Sequence, residues 1–494
     1  MAGEKHVLSK TSFLKAVQCP KAFFLYKFHY NQKDPLSNEK IRLFKRGHDI
    51  GHLAQSLFPN GIDASPAKIS NFHKSVLYTR ELINQGQNVI YEAAFIAEDT
   101  LVAIDLLVKE NSGWHAYEVK SALKIRQTYV MDAALQYYVI KKALPDLSDI
   151  SLVCINEKYK KETDFSLTNF FRIVSVRNDA IQNEEYIRFH IQRAKSIFLE
   201  QKLPSVSTGS HCFHPHECDF MQTCWKNSSN QSIYKFKGFN SLQADEWNRK
   251  GISLVQDIPP SELTPDQIIM VDAQKHNQPH INHKKLDAWR TSITYPIAFL
   301  DAEFFAPAVP KFSGDTPFKP HPFLFSLKKL EKPGADIQEI TFFHEANSNP
   351  DHSFTETLLS ETESVNSLIL FDASQELKIL NQITAQFPQF QKKVNALRNK
   401  VSDLAQIFNS LSYYHPAQNG NFSLKKCHLA VTGINHYKNL NVPSGILASY
   451  LYEDYLSEMK PENKQSLAED LIQYCQTDTL CILELFLKVT GGII

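Results

Sequence analysis

Membrane-length hydrophobic runs are missing from this sequence. No uninterrupted apolar stretch approaches the roughly 20 residues that a bilayer-crossing helix needs, so no membrane role is expected. Met1–Lys10 lacks the apolar centre of a secretory leader, and the expected location is cytoplasmic. Net charge is missing too. Lys and Arg total 53, as do Asp and Glu, so a nucleic-acid partner would need a local basic surface. No GxxxxGK[ST] occurs, so any helicase or other motor must be a separate chain. Cysteines number only 8, too few for a disulfide scaffold in a chain of 494 residues, and no CxxC pair suggests a zinc ribbon.

What is present is globular. Hydrophobic residues make up 43% and charged residues 21%. The length predicts two or three domains of about 150 residues each. From Lys10 to Arg46 basic residues outnumber acids, and Phe23, Phe24, Tyr26, Phe28 and Tyr30 are interleaved among them. Such a stretch suits the backbone charge and base stacking of single-stranded nucleic acid. Ser9–Tyr30 reads as a capped helix interrupted at Cys19-Pro20. Ile41–Phe58 is a second helix with His48 and His52 on one face.

The most informative stretch is Leu101–Ala122. Leu101–Val108 and His115–Ser121 read as strands joined by a polar turn over Lys109–Trp114. Strand parity puts Glu118 and Lys120 on one face, within reach of Asp105 on the partner strand. Two acids and a lysine on one sheet face suit a divalent metal and activated water beside a phosphodiester. Asn88–Ala97 is a strand with Glu92 among apolar residues, Thr128–Leu144 a helix, Leu152–Asn156 a short strand and Asn183–Lys202 a helix. That order predicts an α/β domain with a mixed sheet flanked by helices.

Cys212, Cys218 and Cys224 recur every six residues. A fourth ligand from Cys19 would suit a 4Fe–4S cluster, and one from His211, His214 or His216 would suit Zn²⁺. A boundary is expected at Asn227–Ser232, then a partly helical stretch (Ser241–Lys250, Thr264–Lys275). A second domain opens with the strand Pro296–Phe304, whose Asp301 and Glu303 share a face. Further on come strands at Ile340–Phe343 and Ser367–Phe371, a helix over Asp372–Phe387 with Glu376, and Asp403. Asn421–Lys426 reads as a polar turn holding Lys425 and Lys426. A closing helix, Ser466–Leu487, carries Tyr474 and Asp478 one turn apart.

The IDLLV…YEVKSA hairpin, the DAALQYY helix and the cysteines split between VQCPKAFFL and HCFHPHECDFMQTCW resemble RecB-type PD-(D/E)XK nucleases with an iron–sulfur cluster. The resemblance implies metal ligands at Asp105 and Glu118, with Glu92 and His52 as further candidates. It implies a catalytic Lys120, a Gln136 that contacts DNA or orients the lysine, and a 4Fe–4S cluster on Cys19, Cys212, Cys218 and Cys224. Two departures stand out. Neither His48 nor His52 has the family spacing from Gly47, and Ile140 stands where a tyrosine is usual.

FLDAEF, FDASQELKIL and YCQTD resemble the DnaQ-like 3′–5′ exonucleases of the ribonuclease H-like fold. That resemblance implies Mg²⁺ or Mn²⁺ on Asp301, Glu303, Glu376 and Asp478, with Tyr474 orienting the attacking water. Glu376 departs from the usual Asp. The joint order resembles a bacterial family catalogued as a domain of unknown function. The expected organisation is residues 1–230 as a restriction-endonuclease-like nuclease, 231–290 as a helical linker and 291–494 as the exonuclease domain. The expected function is metal-dependent DNA processing, repair or defence, on single strands or free ends, with a separate helicase or defence-system partner. The competing expectations are an RNA-processing exonuclease and a nucleic-acid-binding scaffold with one or both sites inactive.

Overall fold

Ser9 caps the first helix among the described residues. Its hydroxyl accepts from the Ser12 amide, and the Ser12 hydroxyl accepts from the Ser9 amide. This reciprocal cap opens α1 (Lys10–Gln18). Cys19 ends it, and Pro20 begins α2 (Pro20–Phe28), at the helical position where a missing N–H costs nothing. The structure, a computed structural model, describes residues 7–66 and 72–491. The chain divides into two compact units, one running to Asn227 and including Ala308–Pro317, the other formed by Ser228–Pro307 and the chain from Phe318 onward.

In the first unit, seven strands form one mixed sheet among the described residues. They are β1 (Leu8–Ser9), β2 (Ile62–Asp63), β3 (Val89–Ala97), β4 (Thr100–Glu110), β5 (Gly113–Lys120), β6 (Leu147–Ile155) and β7 (Phe171–Ser175). The order is β2-β3-β4-β5-β6-β7, with β1 parallel to β4. The β4–β5 hairpin pairs Leu106 with Tyr117 and Glu110 with Gly113. Its turn is therefore only Asn111-Ser112, tighter than the expected Lys109–Trp114 loop. β6 spans nine residues, longer than expected, because all of it except Ser148, at a shift in register, pairs with β5 or β7.

Around this sheet lie α3 (Asn38–Gln55), α4 (Phe72–Asn84), α5 (Gln127–Ala143) and α6 (Glu184–Glu200). α5 crosses between the parallel strands β5 and β6. It buries Ala133, Leu135, Val139 and Ile140 against Ile104, Ala116 and Leu152. The aromatic surface expected over Lys10–Arg46 is thinner than its composition suggests. Phe23 and Phe24 are buried and Phe28 stacks on Phe198 at 5.4 Å, so of the five rings only Tyr30 is exposed. Helical periodicity turns the neighbouring rings inward.

The second unit begins with α7 (Ser241–Arg249), α8 (Pro265–His276) and α9 (His283–Thr291). The expected 231–290 linker is packed: Phe236, Met270 and Val271 share a core with Leu411 and Tyr414. A five-stranded sheet follows from β8 (Ile297–Phe305), β9 (His321–Leu330), β10 (Gln338–Phe343), β11 (Ser367–Leu370) and β12 (Val401–Asp403). Its order is β10-β9-β8-β11-β12, antiparallel through β8 and parallel from β8 to β12. Every residue of β9 is buried. Its Lys328 pairs with Glu339, and its Lys329 meets Glu361 at 2.7 Å.

Alternate residues of β8 serve two cores. Ala298, Leu300 and Ala302 pack with Phe354, Leu380 and Val394 of α10 (Asp351–Glu361), α11 (Ser374–Gln386) and α12 (Gln391–Arg398). Lys425 lies not in a turn but in α13 (Leu424–Thr432), whose Cys427 and His428 are drawn into the interior. α14 (Gly445–Ser457) and α15 (Pro461–Thr490) complete the unit. Ile297 and Phe299 pack with Ile482 and Phe486 of α15. By parity, Asp301 and Glu303 belong to the α15 side. Among the described residues no helix is long and apolar enough to cross a membrane.

Gly113 gives a direct test of the hairpin. Its φ is +127°, and an added Cβ would lie 2.3 Å from the Asp146 carbonyl oxygen. Gly47, inside α3, has nothing within 4 Å of such an atom. Gly113→Ala should lower the unfolding midpoint of the first unit, and Gly47→Ala should raise it by up to about 1 kcal/mol in stability. Calorimetry of the two variants checks the opposite signs.

Candidate functional site

The first unit builds its site where β3, β4 and β5 lie side by side. The β3–β4 register pairs Tyr91 with Leu106 and Ala93 with Ile104, and between them Glu92 turns to a φ of +53°. Across the hairpin, Asp105 ends the regular ladder: its carboxylate accepts from the Val119 amide at 2.5 Å. Glu118 is 3% exposed in its side chain and fully engaged. Its Oε1 accepts from Lys120 Nζ at 2.7 Å and Lys10 Nζ at 2.9 Å, and its Oε2 from Gln136 Nε2 at 2.7 Å. Lys120 also bonds Asp132.

Burial raises the Glu118 pKa, but Lys10 and Lys120 outweigh it and hold the carboxyl well below the usual range. Burial disfavours charge on Lys120, yet Glu118 and Asp132 push its pKa up, so it is a firm ammonium. Asp105 goes the other way: burial and then Glu118 raise it well above the carboxylate range. Glu92 is pushed up to about 7, by burial first and then by Glu118 and Asp63. His52 is exposed on α3, close enough for its charge to oppose that rise; His48 is exposed on the same helix.

Asp105, Glu118, Lys120, Gln136 and Glu92 are thus assembled at one place, with His52 at its margin. Gln136 is 0% exposed and donates to Ala103 O at 2.9 Å as well as to Glu118. Buried in α5, it bonds Glu118 and touches Lys120 only through that carboxylate. Sequence reasoning missed Lys10 and Asp132. Asp132 stands four before Gln136 on a helix, a same-face signal that was available. Lys10 carried no signal, since 108 residues separate it from Glu118.

The four cysteines converge on the N-terminal helices. Cys19 lies in a small cluster with Leu25 and Phe220, against which Cys218 and Cys224 pack. Cys218 is pushed up to about 11, by burial first and then by Cys19, Cys212 and Cys224. The link is reinforced by Gln18 Nε2, which donates to the carbonyls of His211 and His216 at 2.8 Å each, and by a Lys15–Asp219 ion pair. Four neighbouring thiols are a donor set that fits a 4Fe–4S cluster or Zn²⁺. His211 Nε2 lies 3.7 Å from Cys212 Sγ.

In the second unit, ligand oxygens of Asp301, Glu303 and Asp478 lie within 4.8 Å of one another. β9 pairs Ser326 with Asp301 and Leu324 with Glu303, and Thr479 of α15 donates to Ser326 O at 3.3 Å, fixing the neighbouring Asp478. Burial raises all three pKa values; Asp478 pushes those of Asp301 and Glu303 higher still. Hydrogen bonds from Tyr437 and Tyr474, and the Lys425 charge, partly restrain Asp478. Lys425 Nζ donates to Tyr474 Oη at 3.2 Å and lies 4.5 Å and 4.8 Å from the ring centres of Tyr437 and Tyr474.

Glu376 stands at the edge of the three-carboxylate group. Its charge adds to those of Asp301 and Glu303, its own pKa is pushed up to about 7 by burial first, and its Oε2 is buried without a hydrogen-bond partner. Asp403 has a structural role, accepting from the Asp372 and Ala405 amides at 2.9 Å each. Tyr437 was not legible in the sequence, because it reaches Asp478 from a loop with no periodic pattern. The three grouped carboxylates of the second unit are hard donors that fit Mg²⁺ or Mn²⁺.

Residues 298–423 match the family described as Domain of unknown function (DUF2779), in keeping with the resemblance to a family catalogued in that way. The match covers Asp301, Glu303, Glu376 and Asp403 and ends before Tyr474 and Asp478. No curated protein matches the chain.

The raised carboxyls have a consequence with a definite sign. Asp301, Glu303 and Asp478 hold protons more tightly folded than unfolded, so the metal-free unit loses stability as pH climbs from the carboxylate range through those raised values. Glu376, pushed up to about 7, adds a loss of the same sign around that pH. In chelator, the unfolding midpoint of the second unit should fall between about pH 5 and pH 8. Mn²⁺ at 100-fold excess over its Kd should restore about 2.7 kcal/mol at the upper pH, on the order of 5–10 °C, and little at the lower. Scanning calorimetry with and without Mn²⁺ checks this, and a midpoint at pH 8 indifferent to Mn²⁺ contradicts it.

Proposed function

We propose that the protein is a metal-dependent nuclease with two hydrolytic centres, one in each unit. The observation that carries this reading is the group of Asp301, Glu303 and Asp478, one half-buried and two buried carboxylates within 4.8 Å of one another whose pKa values are all raised. At that spacing each ionised pair repels by roughly 3 kcal/mol at an effective dielectric of about 20, a cost that a divalent cation removes. A bound Mg²⁺ or Mn²⁺ supplies charge stabilisation at the scissile phosphate. The residues around it do the rest. Tyr474 presents a hydroxyl polarised by Lys425 beside Asp478, suited to hold an attacking water, and Lys425 adds a positive charge facing the phosphate.

The first centre supports the same chemistry by another route. Lys120 is kept charged by Glu118 and Asp132 and is the group to polarise the phosphate or the water. Asp105 and Glu118 are its metal ligands, with Glu92 and His52 beside them. The hairpin-borne acids and the crossover helix α5 favour a restriction-endonuclease-like fold for this unit. The sheet of three antiparallel strands extended by two parallel ones favours a ribonuclease H-like fold for the other. The four cysteines are read as holding a structural cluster that ties α1 and α2 to residues 211–225. The substrate is read as DNA with single-stranded or free ends, engaged by the basic residues near exposed Tyr30 and Phe44.

End-labelled single- and double-stranded DNA and RNA, incubated with Mn²⁺, test the reading. Lys120→Ala and Asp478→Asn should each remove one cleavage activity by on the order of 100-fold or more, and the double variant should remove both. Cleavage unchanged in both single variants rejects the site assignment, and cleavage of RNA alone replaces DNA by RNA. For the cluster, the purified protein should show broad visible absorbance that Cys218→Ser abolishes. A colourless protein holding zinc at these cysteines contradicts the iron–sulfur assignment.

A further inference from the structure

A second type of donor cluster lies elsewhere in the second unit. His428 on α13, His436 in the loop after it and Glu484 on α15 bring their ligand atoms within 4.8 Å of one another. His428 Nε2 lies 2.7 Å and His436 Nε2 3.0 Å from the same Glu484 oxygen, Oε2. The two rings are 5.3 Å apart and tilted by 37°. His428 is 1% exposed, whereas the side chains of His436 and Glu484 are 27% and 29% exposed. The cluster therefore has a closed floor and an open mouth through which an ion can enter.

Its chemistry differs from that of the acidic group. Two imidazoles and one carboxylate are the donors of a Zn²⁺-type ion, whereas Mg²⁺ prefers oxygen alone. Without an ion the arrangement is a hydrogen-bonded clip in which one carboxylate oxygen takes both imidazoles. With an ion, three donors from α13, the loop and α15 share one centre.

We propose that His428, His436 and Glu484 bind a single transition-metal ion of the zinc type, separate from the Asp301–Glu303–Asp478 group, and that this ion fastens the loop that presents Tyr437. Tyr437 follows His436 directly, and its hydroxyl donates to Asp478 Oδ1. The loop is thus pinned at adjacent residues to two points of α15, at Asp478 and Glu484. These positions are six residues apart, about 9 Å along the helix. Tyr437 is a positioning residue for Asp478, and the ion holds it there. Ion binding stands independently of the nuclease reading; only the meaning of Tyr437 for catalysis rests on it.

The test uses the full chain stripped with chelator, then titrated with Zn²⁺ in excess Mg²⁺ to occupy the carboxylate group. Zinc taken up by cysteines is common to all variants, so the reading is a difference. The wild type should bind about one more Zn²⁺ per chain than His436→Ala, and than Glu484→Gln, which preserves side-chain size should the first variant fold poorly. Exposed Lys438 lies in the same loop, and Zn²⁺ should slow tryptic cleavage after it about tenfold in the wild type and in neither variant. Equal zinc counts in the wild type and both variants overturn the site. A reduced count with unchanged cleavage at Lys438 overturns the fastening of the loop. Neither readout depends on hydrolysis, so failure of the nuclease proposal is distinguishable from failure of this one.

Discussion

Burying a carboxylate costs free energy unless something positive comes with it, and both units are organised around that constraint. The first unit supplies the positive charge from its own chain. Glu118 is held between Lys10 and Lys120, and Gln136 occupies its other oxygen. The second unit supplies much less. Lys425 is the cation that restrains Glu303 and Asp478, and Asp301, Glu303 and Asp478 all remain reluctant to ionise. On the reading proposed above, a cation from solution completes the arrangement.

Each sheet provides the geometry by the same device. A strand that is apolar on its core face carries acids where a helix closes over it: β5 with Glu118 beneath α5, and β8 with Asp301 and Glu303 beneath α15. The helices then add the last partners, Asp132 and Gln136 in one case, Tyr474 and Asp478 in the other. Secondary structure fixes which face each acid shares, and tertiary packing fixes how far apart the acids are. The second step is the one that shifts the pKa values, because it sets both burial and the distance between like charges.

Much of this was legible in one dimension. Strand parity placed Asp301 with Glu303, and Glu118 with Lys120. Helical spacing placed Tyr474 with Asp478, and the cysteines on either side of a long insertion do come together. What could not be read were partners that meet only after folding. Lys10 reaches Glu118 from the far end of the unit, and Tyr437 reaches Asp478 from a loop with no periodic signal. β9 escaped notice because it is buried on both faces and shows no alternation, its two lysines neutralised by glutamates on other elements. Gln136 was found as a site residue, but its direct partner, Glu118, was not legible, since a sequence reports which face a side chain shares and not whether that face is sealed.

On the proposed reading, Asp301, Glu303 and Asp478 are ligands awaiting a divalent ion. Electron paramagnetic resonance of Mn²⁺ added to the chelator-stripped chain at about pH 8 reads this without any substrate, because bound Mn²⁺ loses the six-line signal of the free ion. The wild type should silence Mn²⁺ at micromolar concentration, and Asp478→Asn should silence at least one equivalent less. Lowering the pH to about 5 should release the same ion as the carboxyls take up protons. A wild-type chain that leaves the free-ion signal intact, or an Asp478→Asn variant that binds Mn²⁺ as well as the wild type does, would contradict the reading.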